Sequence, residues 1–274
     1  MLNKSRFGLN RMVCPGLGLE SFFRLTRELG LNKVELRNDL SGGKILDDYS
    51  PEEVNAMTDQ TGIQVITINA IQHFNLVPAW DRVYEDVNKM IETARAIGCP
   101  NTVLCPNNDV QDTRTAETFY QDTVTVLNKL APLFKESGIT GLVEPLGFEE
   151  CSLRSKDIAV KAIQEVAYDD YQLVHDTFHH YLGPDDKVQT FYTSLVHISG
   201  VEAGITSGQF RDSHRVLVGP ADKVKNLEQI KALLDRGYEG DFFFEPFSEE
   251  IHQMDLEVIK SSIDESIAYI VENI

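Results

Sequence analysis

Four side chains of types that bind divalent metals each close a short apolar run in the second half of the sequence. They are Glu144, Asp176, His197 and Glu245, separated by 32, 21 and 48 residues. Such spacing suits successive units of a repeated strand and helix. If the four runs are parallel neighbouring strands, the four side chains point into one opening. Two glutamates, one aspartate and one histidine suit a hard or borderline divalent cation, so the sequence predicts a metal site.

Each of these residues also has a simpler reading when it is taken alone. A glutamate at a strand end could pair with a lysine or arginine, and Asp176 could cap the next helix. A lone histidine such as His197 is more often a core residue whose hydrogen bonds are satisfied. Together, however, four polar groups on apolar strands carry a large desolvation cost unless they share a partner. A divalent cation supplies that partner, so we favour the metal site.

The rest of the sequence alternates eight short apolar runs with longer amphipathic stretches. The candidate strands are 7–10, 33–37, 64–70, 101–105, 141–144, 172–176, 194–198 and 241–245. The candidate helices are 19–29, 51–61, 80–97, 116–137, 155–167, 185–192, 227–236 and 256–271. A glycine follows several of the helical patterns, as is typical of the connection from a helix to a strand. With no linker or break in composition, this pattern predicts one TIM (β/α)8 barrel domain over residues 1–274.

An open, doubly wound sheet is the alternative arrangement of the same elements. That fold usually carries a glycine-rich phosphate loop after its first strand. Here the corresponding segment contains Gly16 and Gly18 but lacks the third glycine at the required offset. The barrel is therefore favoured, with its site at the carboxyl ends of the strands.

Composition and charge limit the location and the partners of the protein. The chain has 274 residues, of which 42% are hydrophobic and 25% are charged, as is ordinary for a soluble globular protein. No apolar run is long enough for a membrane span and no signal peptide is evident, so we expect a cytoplasmic protein that binds no membrane. A net charge of −18 disfavours nucleic acid as a partner. The four cysteines form no CxxC pair, so we expect free thiols.

Several short motifs give the sequence a family resemblance. They are Val34-Glu35-Leu36-Arg37, Asn69-Ala70, Phe74-Asn75, Glu144-Pro145-Leu146-Gly147, Asp176-Thr177-Phe178-His179, His197-Ile198 and Phe244-Glu245-Pro246-Phe247. With these motifs the chain resembles the xylose-isomerase-like sugar isomerase/epimerase superfamily, and within it the inosose (2-keto-myo-inositol) isomerase family of inositol catabolism. The resemblance implies a metal-dependent isomerase or epimerase whose substrate is a small polyol ketone or ketose, with inosose as the closest match.

The resemblance also implies roles for individual residues. Glu144, Asp176, His197 and Glu245 would hold one divalent metal, for which Mn²⁺, Mg²⁺, Co²⁺ and Zn²⁺ are the candidates. Glu144 and Glu245 would be the catalytic pair that takes a proton from the carbon beside a ketone and returns it, through an enediolate whose charge the metal offsets. The residues expected to bind substrate are His179, Glu150, Arg215, Asn69 and His73. For His179, Glu150 and Arg215 the simpler readings are packing on the barrel rim, a solvated loop carboxylate and a surface ion pair.

Two departures from the family pattern bear on the choice of substrate, and several alternatives stay open. Gly200 takes a position where related chains often carry aspartate, and the loop that begins at Arg215 is degenerate.

Other enzymes of the superfamily, namely ketose 3-epimerase, hydroxypyruvate isomerase and dehydroshikimate dehydratase, would use similar ligands. An endonuclease IV-like DNA repair enzyme is disfavoured by the acidic charge and by Cys105-Pro106-Asn107 in place of its His-Pro-Gly motif. A barrel that binds a ligand without catalysis is disfavoured by the intact Glu144 and Glu245. The sequence leaves the oligomeric state open, a homo-oligomer included.

Overall fold

Eight parallel strands close into a barrel in the computed structural model, which describes residues 2–40, 42–166, 168 and 170–274. The barrel strands are β1 (Phe7–Asn10), β2 (Lys33–Arg37), β3 (Gln64–Ile71), β4 (Asn101–Leu104), β5 (Thr140–Val143), β6 (Gln172–Asp176), β7 (Thr193–Ile198) and β10 (Asp241–Phe244). Their order around the barrel is β1-β10-β7-β6-β5-β4-β3-β2, so β1 closes the barrel against β10. A short antiparallel ribbon pairs β8 (Gly200–Val201) with β9 (Arg215–Val216). The predicted TIM barrel is confirmed.

Helices surround the barrel. They are α1 (Leu19–Glu28), α2 (Pro51–Thr61), α3 (Trp80–Ala96), α4 (Ala116–Ser137), α5 (Lys156–Glu165), α6 (Thr177–Leu182), α7 (Asn226–Asp235), α8 (Glu249–His252) and α9 (Leu256–Asn273). The start of α2 illustrates how the local sequence sets these bounds. The hydroxyl of Ser50 accepts a hydrogen bond from the backbone N–H of Glu53, and the Glu53 carboxylate accepts one from the N–H of Ser50. This capping box satisfies two N–H groups that the helix itself leaves unpaired.

The helix predicted over 185–192 is wrong, because that segment forms turns and bends. A helix does occur in this part of the chain, but it is α6, which follows β6 directly. The Asp176 carboxylate accepts a hydrogen bond from the backbone N–H of His179, which caps α6 at once after the strand. Asp185 does not start a helix of its own, because its carboxylate accepts hydrogen bonds from Ser155 Oγ and from the N–H of Lys156 at the start of α5. The predicted end of the preceding helix, residue 167, lies outside the described residues.

Apolar side chains fill the barrel below the strand ends. One buried cluster takes a residue from each of β4, β5, β6, β7 and β10, namely Val103, Leu142, Val174, Leu195 and Phe243. The ring of Phe243 lies so close to Gly8 on β1 that a Cβ at residue 8 would come within 2.5 Å of it. Because strand side chains alternate between the two faces, the next inward positions along β6 and β7 are Asp176 and His197. The packed apolar interior thus lies directly below the polar side chains at the strand ends.

Candidate active site

The four predicted metal ligands meet at the carboxyl end of the barrel. Asp176 ends β6 and is the register partner of His197 on β7, whereas Glu144 and Glu245 directly follow β5 and β10. Each residue offers one ligand atom, and these atoms all lie within 4.8 Å of one another. All four residues are buried. Three carboxylates and one imidazole converging in a buried space fit a divalent cation, which would offset their charge.

His197 lies at the centre of the acidic cluster. Its Nδ1 is 2.9 Å from Glu144 Oε1 and 3.3 Å from Glu245 Oε2. Its Nε2 is 3.1 Å from an oxygen of Glu35, a fully buried residue of β2. Burial alone would lower the pKa of this imidazole, but the neighbouring carboxylate charges raise the pKa well above its ordinary value. The site therefore attracts positive charge strongly.

Two buried arginines hold the Glu245 carboxylate from either oxygen. Arg37 Nη1 donates to Glu245 Oε1 at 2.7 Å, and Arg215 Nη2 donates to Glu245 Oε2 at 3.0 Å. The same Nη2 donates to Asp176 Oδ2 at 2.6 Å. Both guanidinium groups also lie over the ring of Phe247, at 5.2 Å for Arg37 and 4.9 Å for Arg215. Arg215 is 1% exposed, so its ion pairs belong to the site and not to the surface.

The two glutamates differ in their surroundings and in their proton affinity. For Glu144, burial acts to raise the pKa, but the charge of His197 and its hydrogen bond outweigh burial and lower the pKa. For Glu245, burial raises the pKa to about 7, although the charges of His197 and Arg215 oppose the change. The hydrogen bonds differ as well, since among the described residues Glu144 Oε2 accepts a hydrogen bond only from the thiol of Cys105, at 3.4 Å. In the protein alone, one carboxyl thus favours its ionised form and the other holds a proton more readily.

A cavity of about 270 Å³ opens above these residues. Four of the five residues expected to bind substrate line it, namely Asn69, His73, His179 and Arg215. Phe247, Leu146 and Pro106 add apolar wall. Glu150 lies elsewhere, half-buried in the wall of a neighbouring cavity of about 190 Å³. It is the one member of the predicted set that the structure does not bring to this opening.

His179 stands on α6 with its ring against two aromatic side chains. The ring lies edge-on to Phe148 and Phe178, with centroids 5.1 and 5.3 Å apart. Its Nε2 is 3.9 Å from a carboxylate oxygen of Asp212. Burial lowers the pKa of His179, against the opposing charge of Asp176. A neutral imidazole is therefore presented to the cavity at neutral pH.

Glu35 and Arg37 also belong to the site: the sequence places both at the carboxyl end of the second strand, in one of the motifs that carry the family resemblance, but assigns them no role. Glu35 receives hydrogen bonds from the amides of Asn10 and Asn69, and it contacts His197. The signal was present, because the segment Val34-Glu35-Leu36-Arg37 alternates apolar and charged residues within a strand. Residues two apart on a strand share a face, so two charges at this spacing must point into the barrel together.

Comparisons with known proteins place this geometry in a family. The family model described as xylose isomerase-like TIM barrel matches residues 23–269. The chain belongs to this family. Its relatives include an inosose isomerase from Halalkalibacterium halodurans, 25% identical over 247 residues, which cover 87% of this chain and 86% of the relative. An inosose isomerase from Bacillus licheniformis is 24% identical, with 83% and 84% of the two chains covered.

Solved structures agree with the fold. A xylose isomerase domain-containing protein from Salmonella typhimurium LT2 superposes with a TM-score of 0.92 and 34% identity, over 99% of both chains. The structure of IOLI protein with a zinc atom has a TM-score of 0.85 and 21% identity, over 97% of this chain and 98% of that one. Family membership supports an enzyme of the sugar isomerase and epimerase class. In the described part of the chain, every helix is too short or too polar to cross a membrane.

Proposed function

We propose that this protein is a divalent-metal-dependent isomerase of a polyol ketone, with inosose as its substrate. The observation that carries the proposal is the convergence of Glu144, Asp176, His197 and Glu245, with ligand atoms within 4.8 Å, below an open cavity. The two relatives named inosose isomerase support the choice of substrate, since each aligns over more than four fifths of this chain. The apolar wall and the several hydrogen-bonding groups of the cavity suit a small hydroxylated ring.

The four converging residues would hold one divalent cation. When bound, it would supply positive charge that offsets the negative charge developing on substrate oxygens during proton transfer. Zinc is the first metal to test, because the related IOLI structure carries a zinc atom. Mn²⁺, Mg²⁺ and Co²⁺ also suit three carboxylates and one imidazole.

Glu144 and Glu245 would move the proton between neighbouring carbons of the substrate. Glu144 is the better placed to accept it, because its Oε1 contacts His197, whereas its Oε2 is held by the weak donor of the Cys105 thiol. Both oxygens of Glu245 already face guanidinium groups, so this carboxylate is held firmly in one orientation. Glu245 is held by strong hydrogen bonds and Glu144 Oε2 by a weak one. Two carboxyl groups that differ in this way suit an acid and a base acting in turn. Arg215 and His179 would orient substrate oxygens.

The proposal is tested by changing each glutamate to glutamine, which keeps an oxygen but cannot take a proton at neutral pH. We expect E144Q and E245Q to lose about 10²- to 10⁴-fold in turnover of inosose, and to lose exchange of the carbon-bound proton with deuterated solvent. Metal content must be measured in parallel, since glutamine is a weaker ligand. Glu149, which is exposed beside the neighbouring cavity, provides a matched control as E149Q.

The outcomes separate catalysis from mere metal binding. Full solvent exchange and turnover in both metal-loaded glutamine variants would contradict the assignment of the proton-transfer pair. The substrate is tested separately, by following inosose and a panel of ketoses by NMR with the metal-loaded protein. Turnover of a ketose without turnover of inosose would move the proposal to a ketose epimerase on the same residues.

A further inference from the structure

A chain of polar contacts runs from the N-terminal side of α4 to His73 in the cavity wall. His73 follows β3 and lines the cavity. Its backbone has φ of +56°, a left-handed conformation that residues other than glycine seldom adopt. Non-glycine residues held in this way cluster at functional sites, where the surrounding structure maintains them. The hydrogen bonds of the imidazole show which of its two nitrogens is available to a ligand.

The hydrogen bonds of Asn107 determine which nitrogen of His73 carries the hydrogen. Asp112 is a carboxylate and can only accept, and Asn107 Nδ2 donates to its Oδ2 at 2.6 Å. The amide is therefore oriented with its oxygen toward His73, where Asn107 Oδ1 lies 2.8 Å from Nδ1. A carbonyl oxygen accepts only, so Nδ1 must carry the hydrogen. In the neutral ring, Nε2 is then left with a free lone pair.

Arg114 anchors this arrangement from behind. Its Nη2 and Nε donate to Asp112 at 2.6 and 3.0 Å, and its Nη1 donates to Asp122 of α4 at 2.6 Å. The hydrogen bond from Arg114 lowers the pKa of Asp112 to about 2, so this carboxylate has no proton to donate near neutral pH. The backbone of Asn107 is fixed as well, because its N–H donates to Asn75 Oδ1 at 2.8 Å. In each hydrogen bond between Arg114 and the imidazole, the donor and the acceptor are therefore fixed.

We propose that His73 accepts a hydrogen bond through Nε2 from a hydroxyl group of the bound polyol ketone. Asn107, Asp112 and Arg114 are positioning residues that hold His73 in this tautomer. The identity of the ligand rests on the proposed function, whereas the tautomer does not. A carbonyl or ether oxygen placed at this wall would set one lone pair against another, so His73 requires an O–H there. Arg37 and Arg215, elsewhere in the lining, can only donate and therefore suit the carbonyl end of the substrate.

The tautomer is measured directly in protein labelled with ¹⁵N-histidine, without metal or substrate. The His73 signals are assigned by their loss in His73→Gln. In the neutral ring of His73 we expect the hydrogen on Nδ1 and a bare Nε2 in the native chain, and return of the hydrogen to Nε2 in Asn107→Leu. A neutral His73 ring with its hydrogen on Nε2 in the native protein would overturn the inference. This result is independent of turnover, so it stands apart from any failure of the proposed function.

The contact with substrate is tested by kinetics with inosose. Removing one neutral hydrogen bond in His73→Phe should raise KM about tenfold, with a smaller change in kcat, and His73→Gln should restore part of the loss through its amide oxygen. Asp112→Asn frees the Asn107 amide to rotate and should raise KM in the same direction. Asp109→Asn, an exposed change three residues away, is the control and should leave KM unaltered. An unchanged KM in His73→Phe would overturn the contact even if the tautomer is as proposed.

Discussion

Replacement of Lys156 by methionine is expected to stabilise the protein at neutral pH. Lys156 is the first residue of α5 and is only 2% exposed. Burial lowers the pKa of its amino group to about 8, although the charges of Asp176 and Asp185 oppose the change. The charge of Lys156 in turn adds to burial in lowering the pKa of His175 and His180. The folded chain therefore carries a buried positive charge, which lowers the free energy of unfolding.

The magnitude follows from the difference between the two pKa values. The ordinary value is 10.5 and the folded value is about 8, and each unit corresponds to ~1.4 kcal/mol, so the charge costs ~3 kcal/mol. The folded pKa is the lower of the two, so the cost is complete at pH values below 8. It recedes as the pH rises from 8 toward 10.5, because the unfolded chain binds more protons in that range. Methionine has a similar volume without the charge, so K156M should gain ~1–3 kcal/mol at pH 7.

Urea unfolding at pH 7 and pH 9.5, with a chelator present throughout, measures the effect. We expect the free energy of unfolding of K156M to exceed that of the native chain at pH 7. The difference should shrink by about 2 kcal/mol at pH 9.5, where the native lysine has lost most of its proton. Lys135, exposed on α4, provides the control as K135M. A K156M protein that is less stable at pH 7, or a difference that does not change with pH, would refute the reasoning.

Two further changes test the proposed metal site and the close packing of Gly147 against α6. His197→Ala removes the imidazole from the ligand cluster and should sharply reduce the metal retained after dialysis; elemental analysis showing undiminished metal would count against His197 as a ligand. Gly147→Ala would place a Cβ 2.3 Å from the carbonyl oxygen of His179 and 2.6 Å from Leu182 Cβ, so the free energy of unfolding should fall by ~1–3 kcal/mol in urea titrations. Gly16→Ala, where nothing lies within 4 Å of the added carbon, should leave the unfolding curve close to native, and an equal loss in both variants would argue against the clash.

Local sequence was enough to predict the barrel and the convergence of the four strand-end residues. Both follow from short apolar runs that alternate with amphipathic stretches and that each close on a polar residue, a pattern that is read directly along the chain. The course of the chain after β6 was not predictable in the same way. Asp176 caps the next helix, as its simpler reading allowed, but it does so at once after the strand, and Asp185 caps a helix that precedes it in the chain. Which backbone N–H group an aspartate binds depends on how the folded segments pack, and the local sequence does not contain that information.

The same limit applies to Arg215. In the sequence this arginine lies in a loop and could as well pair with an acid on the surface. In the structure, backbone N–H groups of Phe247 and Ser248 donate to the carbonyl oxygen of Arg215, at 3.0 and 2.8 Å. These contacts turn its side chain toward Asp176 and Glu245. No local sequence pattern predicts these hydrogen bonds, because the two segments are far apart along the chain.

The hydrogen bonds of Glu245 have a consequence for folding. Glu245 is bound by Asn10 and by Arg37, which lie 235 and 208 residues away along the chain. Contacts between such distant residues require the closure of a very large loop, and they form late when a chain folds. During refolding, helical signal should therefore return before the proposed metal binding and activity, which need β1 to meet β10. A half-barrel made from either end of the chain would lack part of the Glu245 environment, so the site and the closed barrel are acquired in one step.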